Sequence, residues 1–287
     1  MNQLSINNYG FSYGKNKVYQ NFSLDIKSGI NVIIGENGSG KTTLFKTLAT
    51  IYRNYSGEIL LNDLDYKDIN SIKNRISYLP QDFDVYPNMK VIDFISFIAE
   101  IKNGKSKKNL KSVINAALGD ADIVEFKDKR MRELSGGMRK RVGIAQALVS
   151  NVDMIIADEP TAALDPEQRL HFNRLLNKIA DDKIIFISTH IIEDIQTFYD
   201  NIIILSKGKI KKTGSYDEIF SELKDKIYRI VVPNNRAFEI ENEYKVLDTM
   251  IQQDSVTLTL YVHENQKITE DMEKISPTIQ NVWSYYR

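Results

Sequence analysis

The chain has 287 residues, enough to bury a substantial core with room for one large unit and a small one. Lysine plus arginine and aspartate plus glutamate both number 38, so no net field draws the chain to nucleic acid or an anionic surface. It has no cysteine, hence no disulfide and no thiolate metal site, as suits a reducing cytosol.

No signal peptide is expected, because Asn7, Asn8 and Tyr9 interrupt any apolar stretch. No segment approaches bilayer-spanning length, and the most apolar, 91–101, is broken by Asp93, Ser96 and Glu100. Any membrane role is therefore expected through a partner.

Residues 1–80 hold short β-type runs divided by turns. Segment 22–26 alternates, Ser28-Gly29 turns, and Asn31-Val32-Ile33-Ile34 reads as a buried parallel strand. Next, Gly35-Glu36-Asn37-Gly38-Ser39-Gly40-Lys41-Thr42 matches the phosphate-loop pattern G-x-x-x-x-G-K-[ST] at every fixed position. Leu44, Leu48, Ile51 and Tyr52 then recur at helical spacing. Glycines let successive N–H groups turn inward around phosphate oxygens, and the helix N-terminus adds positive dipole. Lys41 would neutralise β/γ-phosphate charge, and the Thr42 hydroxyl would ligate Mg²⁺. Strand, glycine loop and helix in this order imply a bound nucleoside triphosphate.

Segments 57–61 and 75–79 read as further strands. From about 82 to 150 the period becomes helical, with Phe94, Phe97, Ile98 and Ile101 on one face and Asn103-Gly104 as a stop. Lys105, Lys107, Lys108 and Lys111 read as a solvated helix start. Leu134-Ser135-Gly136-Gly137-Met138 precedes a helix bearing Val142, Ala145, Gln146 and Val149, and offers an anion a second helix N-terminus. The apolar strand 154–157 ends in Asp158-Glu159. Where the chain turns at the strand end, Asp158 would face Mg²⁺ and Glu159 the attacking water, as general base.

A helix-like stretch from about 167 to 180 leads to strand 184–187; strand 202–205 and a Lys207-Gly208 turn close the large unit. Ser215-Tyr216-Asp217-Glu218 is a capping box opening one more helix. Beyond 225, Val256, Leu258, Leu260 and Val262 alternate with Thr257, Thr259 and Tyr261. The tail reads strand 227–232, helix 235–242, strand 245–251, strand 255–262, helix 266–275, strand 279–286. That is the split β-α-β order of a ferredoxin-like module.

Together these motifs resemble the nucleotide-binding subunit of ATP-binding cassette (ABC) transporters over roughly residues 1–222. The resemblance implies an α/β phosphate-loop NTPase core at 1–222 with a helical subdomain at about 82–150. The tail, 226–287, falls outside the cassette as a small α+β, ferredoxin-like module. ATP and Mg²⁺ are the implied ligands. Two subunits of the same chain or of a homologue would pack head to tail. ATP would then lie between Gly35, Asn37, Gly38, Ser39, Gly40, Lys41, Thr42 and Thr43 of one subunit and Ser135, Gly136 and Gly137 of the other.

By the same resemblance Gln81 joins Thr42 and Asp158 at Mg²⁺ and relays its state to the transmembrane partner. His190 is the switch histidine on the γ-phosphate, Tyr13 stacks on adenine, and Asp165 touches the neighbouring subunit's site. Glu159, His190, Lys41 and Gln81 make the catalytic set; His171 and His263 read as surface residues. Two positions depart from the family. Met138 stands where many members carry Gln or Glu, which forfeits a side-chain hydrogen bond to the nucleotide. Ala163 stands where glycine is frequent. The run Met138-Arg139-Lys140-Arg141 looks more like exporters of drugs and peptides.

The expected function is an ATPase subunit on the cytoplasmic face of the membrane, peripheral, powering export of a drug-like, peptide or lipid-like substrate through a separate permease. The alternative is a soluble ABC-type ATPase acting on ribosomes or nucleic acid. A single cassette, and the lack of sustained heptads over 82–133, argue against it. Ser135–Gly137 and His190 argue against a kinase or GTPase, as does the absence of a guanine-specifying Asn-Lys-x-Asp motif.

Overall fold

Four strand segments, 32–34, 154–157, 184–187 and 202–205, are apolar at every position because both faces of their sheet are covered. The computed structural model describes residues 1–81, 83, 86–103, 109–162, 164–190 and 199–287. In chain order the strands are β1 (Gln3–Tyr13), β2 (Asn16–Lys27), β3 (Gly29–Gly35), β4 (Ser56–Leu61), β5 (Leu64–Asp65), β6 (Ile76–Leu79), β7 (Met154–Asp158), β8 (Ile184–Thr189), β9 (Asn201–Ser206), β10 (Lys209–Gly214), β11 (Ile227–Pro233), β12 (Lys245–Ile251), β13 (Ser255–Tyr261) and β14 (Glu273–Lys274). The helices are α1 (Lys41–Leu48), α2 (Ile69–Arg75), α3 (Val91–Asn103), α4 (Leu110–Asp120), α5 (Gly136–Leu148), α6 (Pro166–Ile179), α7 (Tyr216–Leu223), α8 (Asn234–Glu243) and α9 (Ile279–Tyr286).

The central sheet has the order β10-β9-β3-β8-β7-β6, parallel throughout except for β10. Alternation along its strands divides two cores. Ile30, Val32 and Ile34 join Ile185, Ile187, Ile202 and Ile204 under α3–α6. Ile33 joins Met154, Ile156, Phe186 and Ile203 on the other side, against α1 and the antiparallel sheet β2-β1-β4-β5. Because β3, β7 and β8 run parallel, the turns after them share one edge. The phosphate loop, Asp158-Glu159 and His190 therefore meet at the carboxyl ends of the strands, where open α/β sheets bind ligands.

Helices α3, α4 and α5 and two 3-10 turns occupy the region read as helical. Of the quartet expected on one face of α3, Phe94 is buried and Ile98 packs partly, but Phe97 and Ile101 are exposed. Gly104, Lys105, Lys107, Lys108 and Ala163 lie outside the described residues. Among the described residues no helix is long and apolar enough to cross a membrane.

The tail departs from the expected order. Strands β11, β12 and β13 and helix α8 form where they were read, but 266–275 is not a helix and 279–286 is not a strand. Ile268, Met272 and Ile275 have helical spacing, yet Glu273 and Lys274 pair with Arg229 and Tyr228, so β14 extends a sheet ordered β12-β13-β11-β14. The final segment is α9, started by a capping box in which Thr278 Oγ1 accepts from Asn281 N–H and Asn281 Oδ1 accepts from Thr278 N–H. The ferredoxin-like order is therefore replaced by a different α+β unit. Tyr228, Ile230, Leu258 and Leu260 give it a core of its own. Ile227, Leu247, Tyr261, Val282 and Trp283 belong instead to the main core under the helices.

Candidate functional site

β3 ends at Gly35 and the chain turns through residues 36–40 into α1. Gly38 (φ 82°) and Gly40 (φ 112°) take left-handed backbone that side chains disfavour. A Cβ at Gly40 would also sit 2.6 Å from the Tyr19 hydroxyl. The Lys41 ammonium is buried and donates to Gly35 O (2.7 Å) and Glu36 O (3.2 Å). Burial lowers its pKa, and the carboxylates of Glu159 and Asp158 pull it back up. Ser39 presents a buried hydroxyl with no partner among the described residues. Asn37, Gly38 and Thr42 are exposed, and Thr43 is buried with its Oγ1 3.2 Å from the Tyr13 hydroxyl. Tyr13 is half exposed at the rim of an aromatic cluster, edge-on to Phe11 and Tyr52.

Beside the loop, two strand ends join. Asp158 at the end of β7 is buried, and its Oδ1 accepts from Ser188 Oγ at 2.5 Å. The same Oγ accepts from the Glu159 backbone N–H at 2.9 Å, which also reaches Ser188 O at 3.1 Å. Those bonds hold Glu159 in left-handed backbone (φ 46°), a conformation costing roughly 1–2 kcal/mol for a residue with a Cβ. The Glu159 side chain is thereby aimed so that Oε2 accepts from Gln81 Nε2 (3.3 Å) and faces His190 Nδ1 (3.1 Å). A carboxylate partner assigns the ring proton to Nδ1. Lys140 Nζ donates to Gln81 O at 2.6 Å, tying α5 to this group.

Ser135 lies elsewhere. It caps α5, its hydroxyl accepting from Met138 N–H at 3.3 Å. A Cβ at Gly136 would meet nothing within 4 Å, whereas one at Gly137 would strike Gln168 Oε1 at 2.6 Å. Ser135, Gly137 and Met138 line a cleft of about 200 Å³ with Leu164, Gln168 and Phe172, and no residue of 35–43 borders it. Asp165 is exposed and caps α6, accepting from Gln168 N–H at 2.8 Å. His171 sits on the surface near Asp122 and Arg141, and His263 is exposed beside Tyr261.

A single chain thus presents the expected site residues in two separate groups. One joins Tyr13, residues 35–43, Gln81, Asp158, Glu159 and His190; the other joins Ser135, Gly136, Gly137 and, at the start of α6, Asp165. The first group suits a nucleotide with magnesium. The unpaired Ser39 hydroxyl, the glycines that leave room, and the buried ammonium together fit a polyphosphate. Thr42, Gln81 and Asp158 are oxygen donors, as hard cations require. Among the described residues no group of three or more His, Cys, Asp or Glu could hold a metal ion. Sequence reasoning missed Ser188 and Tyr19. The signal for Ser188 was a hydroxyl at the carboxyl end of an otherwise apolar strand; Tyr19 had none.

A family model described as ABC transporter matches residues 19–162. An ABC transporter ATP-binding protein of Clostridium acetobutylicum is 34% identical, covering 78% of this chain and 83% of that protein. A spermidine/putrescine import ATP-binding protein of Borreliella afzelii is 32% identical over 82% of this chain and 69% of its own length. Among solved structures, cbiO1 of Clostridium perfringens, part of the ABC transporter complex cbiONQ, superposes with a TM-score of 0.70 at 28% identity. The match covers 76% of this chain and 90% of that one.

Proposed function

The chain belongs to the ABC transporter family of ATP-binding subunits, and on that premise we propose that it powers export through a separate permease. As such a subunit it uses ATP with Mg²⁺, hydrolyses ATP, and works with a transmembrane permease and a second ATPase subunit. In the proposed cycle two chains pack head to tail, so that Ser135, Gly136 and Gly137 of one close over the phosphate loop of the other. Lys41 binds the β- and γ-phosphates, Tyr13 stacks on adenine, and Glu159 takes the proton of the attacking water while His190 orients that carboxylate and meets the γ-phosphate. Thr42, Gln81 and Asp158 hold Mg²⁺, which when bound offsets charge on the phosphate oxygens. The permease keeps the chain at the cytoplasmic face of the membrane. Residues 1–222 serve as the cassette and 226–287 as a second unit attached to it.

The observation that carries the reading is the meeting of Gln81 and His190 on one oxygen of Glu159, next to Asp158. The separation of the Ser135 cleft from residues 35–43 supports the head-to-tail dimer. Support for export is the run Met138-Arg139-Lys140-Arg141. The polyamine-import relative favours import as a second reading. ATP-driven spermidine entry into right-side-out vesicles carrying the chain and its permease would select it.

Glu159→Gln tests the chemistry. Removing a general base should slow phosphate release by about 10²- to 10⁴-fold while ATP still binds, so that gel filtration in Mg-ATP shows a trapped dimer. A Glu159→Gln protein that stays monomeric and fully active removes Glu159 from the mechanism.

A further inference from the structure

The tail of the chain ends on the phosphate loop. Trp283 of α9 lines a cleft of about 190 Å³ together with Ile34, Gly35, Glu36, Asn37 and His190. One turn further on, the Arg287 guanidinium is ion-paired with the Glu36 carboxylate. Its backbone carbonyl lies 3.5 Å from Ser206 Oγ at the end of β9. α9 is itself anchored to the rest of the protein. The Tyr286 hydroxyl donates to Glu222 of α7, and Lys245 Nζ donates to Tyr285 O at 2.6 Å.

The loop needs such support. Gly38 and Gly40 take left-handed backbone and have no side chain to fix it, yet the loop's N–H groups bind phosphate well only if they are already aimed. Its inner limb is braced by Tyr19 beneath Gly40 and by Gly208 N–H donating to Ser39 O at 3.1 Å. Glu36 closes the outer limb, its carbonyl accepting from Lys41 Nζ (3.2 Å) and Ser39 N–H (3.1 Å). The side chain of that same residue is held by Arg287.

We propose that α9 is a positioning element of the nucleotide site. Arg287, through Glu36, and Trp283 hold the outer limb of the phosphate loop in the shape that binds nucleoside phosphates. The proposal rests on residues 35–43 being the nucleotide cradle, and it links the tail unit to ATP affinity.

Trp283 is the only tryptophan in the chain, so intrinsic emission reports on this cleft directly. The full chain is titrated with Mg-ADP as wild type, Arg287→Ala, Arg287→Lys and Lys41→Ala, with calorimetry alongside. Wild-type emission should change saturably. Exposed ion pairs are worth about 0.2–1 kcal/mol, so Arg287→Ala should raise Kd roughly 1.4- to 5-fold. It should raise KM for ATP in preference to lowering kcat, and high salt should shrink the difference from wild type. Arg287→Lys should restore most of the affinity. The proposal is overturned if emission is unchanged when calorimetry shows saturation, or if Arg287→Ala matches wild type in Kd and KM. Wild-type Mg-ADP binding by Lys41→Ala would instead overturn the cradle assignment itself.

Discussion

Replacing Ser188 by alanine should disable hydrolysis without touching any atom assigned to the nucleotide. Its hydroxyl serves two neighbours at once, donating to the buried carboxylate of Asp158 and accepting from the backbone N–H of Glu159. Hydrogen bonds to charged groups are worth about 1.5–3 kcal/mol, and the first of these is short and fully buried. Loss of the second leaves the Glu159 backbone N–H with Ser188 O as its one acceptor, against a left-handed backbone that relaxes readily. If 1.5–3 kcal/mol is lost from the transition state, kcat falls by about 10- to 150-fold. ATP affinity should change much less, because residues 35–43 and Tyr13 are untouched. Steady-state phosphate release gives kcat, and calorimetry with Mg-ADP gives affinity. Full kcat in Ser188→Ala would refute the claim that this hydroxyl aims the two carboxylates. An equal loss of affinity and rate would show a general collapse of the site instead.

Two further outcomes follow from the geometry. Tyr13→Ala should weaken ATP binding about 5- to 150-fold, the range for loss of one base–aromatic stack of about 1–3 kcal/mol, while inorganic tripolyphosphate, which has no base, binds as before. Equal weakening of both ligands would return Tyr13 to a packing role. Glu222→Gln should loosen α9, because the Glu222 carboxylate accepts from Lys212 and Tyr286, and those bonds hold its pKa below the ordinary 4.5. A depressed carboxyl pKa stabilises above the unfolded value and loses that contribution as pH falls through the folded one. The melting-temperature gap between wild type and Glu222→Gln should thus be small but present at neutral pH, since the group is half exposed, and vanish well below pH 4.5. A gap that persists in acid counts against it.

The parts of the site that could be read from sequence are those carried by contiguous residues. The phosphate loop is a local device: its glycines answer a backbone need, and its lysine and threonine follow at fixed spacing to meet phosphate and metal with their side chains. Asp158-Glu159 was legible because an apolar strand ending in two carboxylates is a local pattern too. Ser188 was not, because its role exists only once β7 and β8 lie side by side. Arg287 reaches Glu36 from the far end of the chain, and no spacing rule spans that distance. The tail misled for a physical reason. Trp283, Tyr285 and Tyr286 favour strands, yet burial of Val282 and Trp283 on adjacent positions suits a helix face, and tertiary packing overrode propensity. The capping signal was present at Thr278, but Asn281 stands where Glu or Gln marks the usual box.

The composite site can be tested without a structure of the dimer. If Ser135 serves the nucleotide held by the other subunit, Lys41→Ala and Ser135→Arg should each be nearly inactive alone. The first removes the phosphate clamp within its own subunit, and the second fills the cleft that the α5 N-terminus offers across the interface. In a two-fold dimer of one copy of each, the Lys41→Ala loop faces the Ser135→Arg cleft, so both lesions fall on one site. The other site then combines an intact loop with an intact serine. Random pairing makes about half the dimers mixed, each with one good site of two, so activity should recover to roughly one quarter of wild type. Differential tagging establishes that mixed dimers form. If they form and ATPase activity stays at the level of the separate variants, either Ser135 does not act in trans or both sites must fire together. Titrating wild type with Lys41→Ala separates these: a linear fall means independent sites, a quadratic one obligate pairs. Full activity of Ser135→Arg alone would mean that the cleft beside α5 takes no part in hydrolysis.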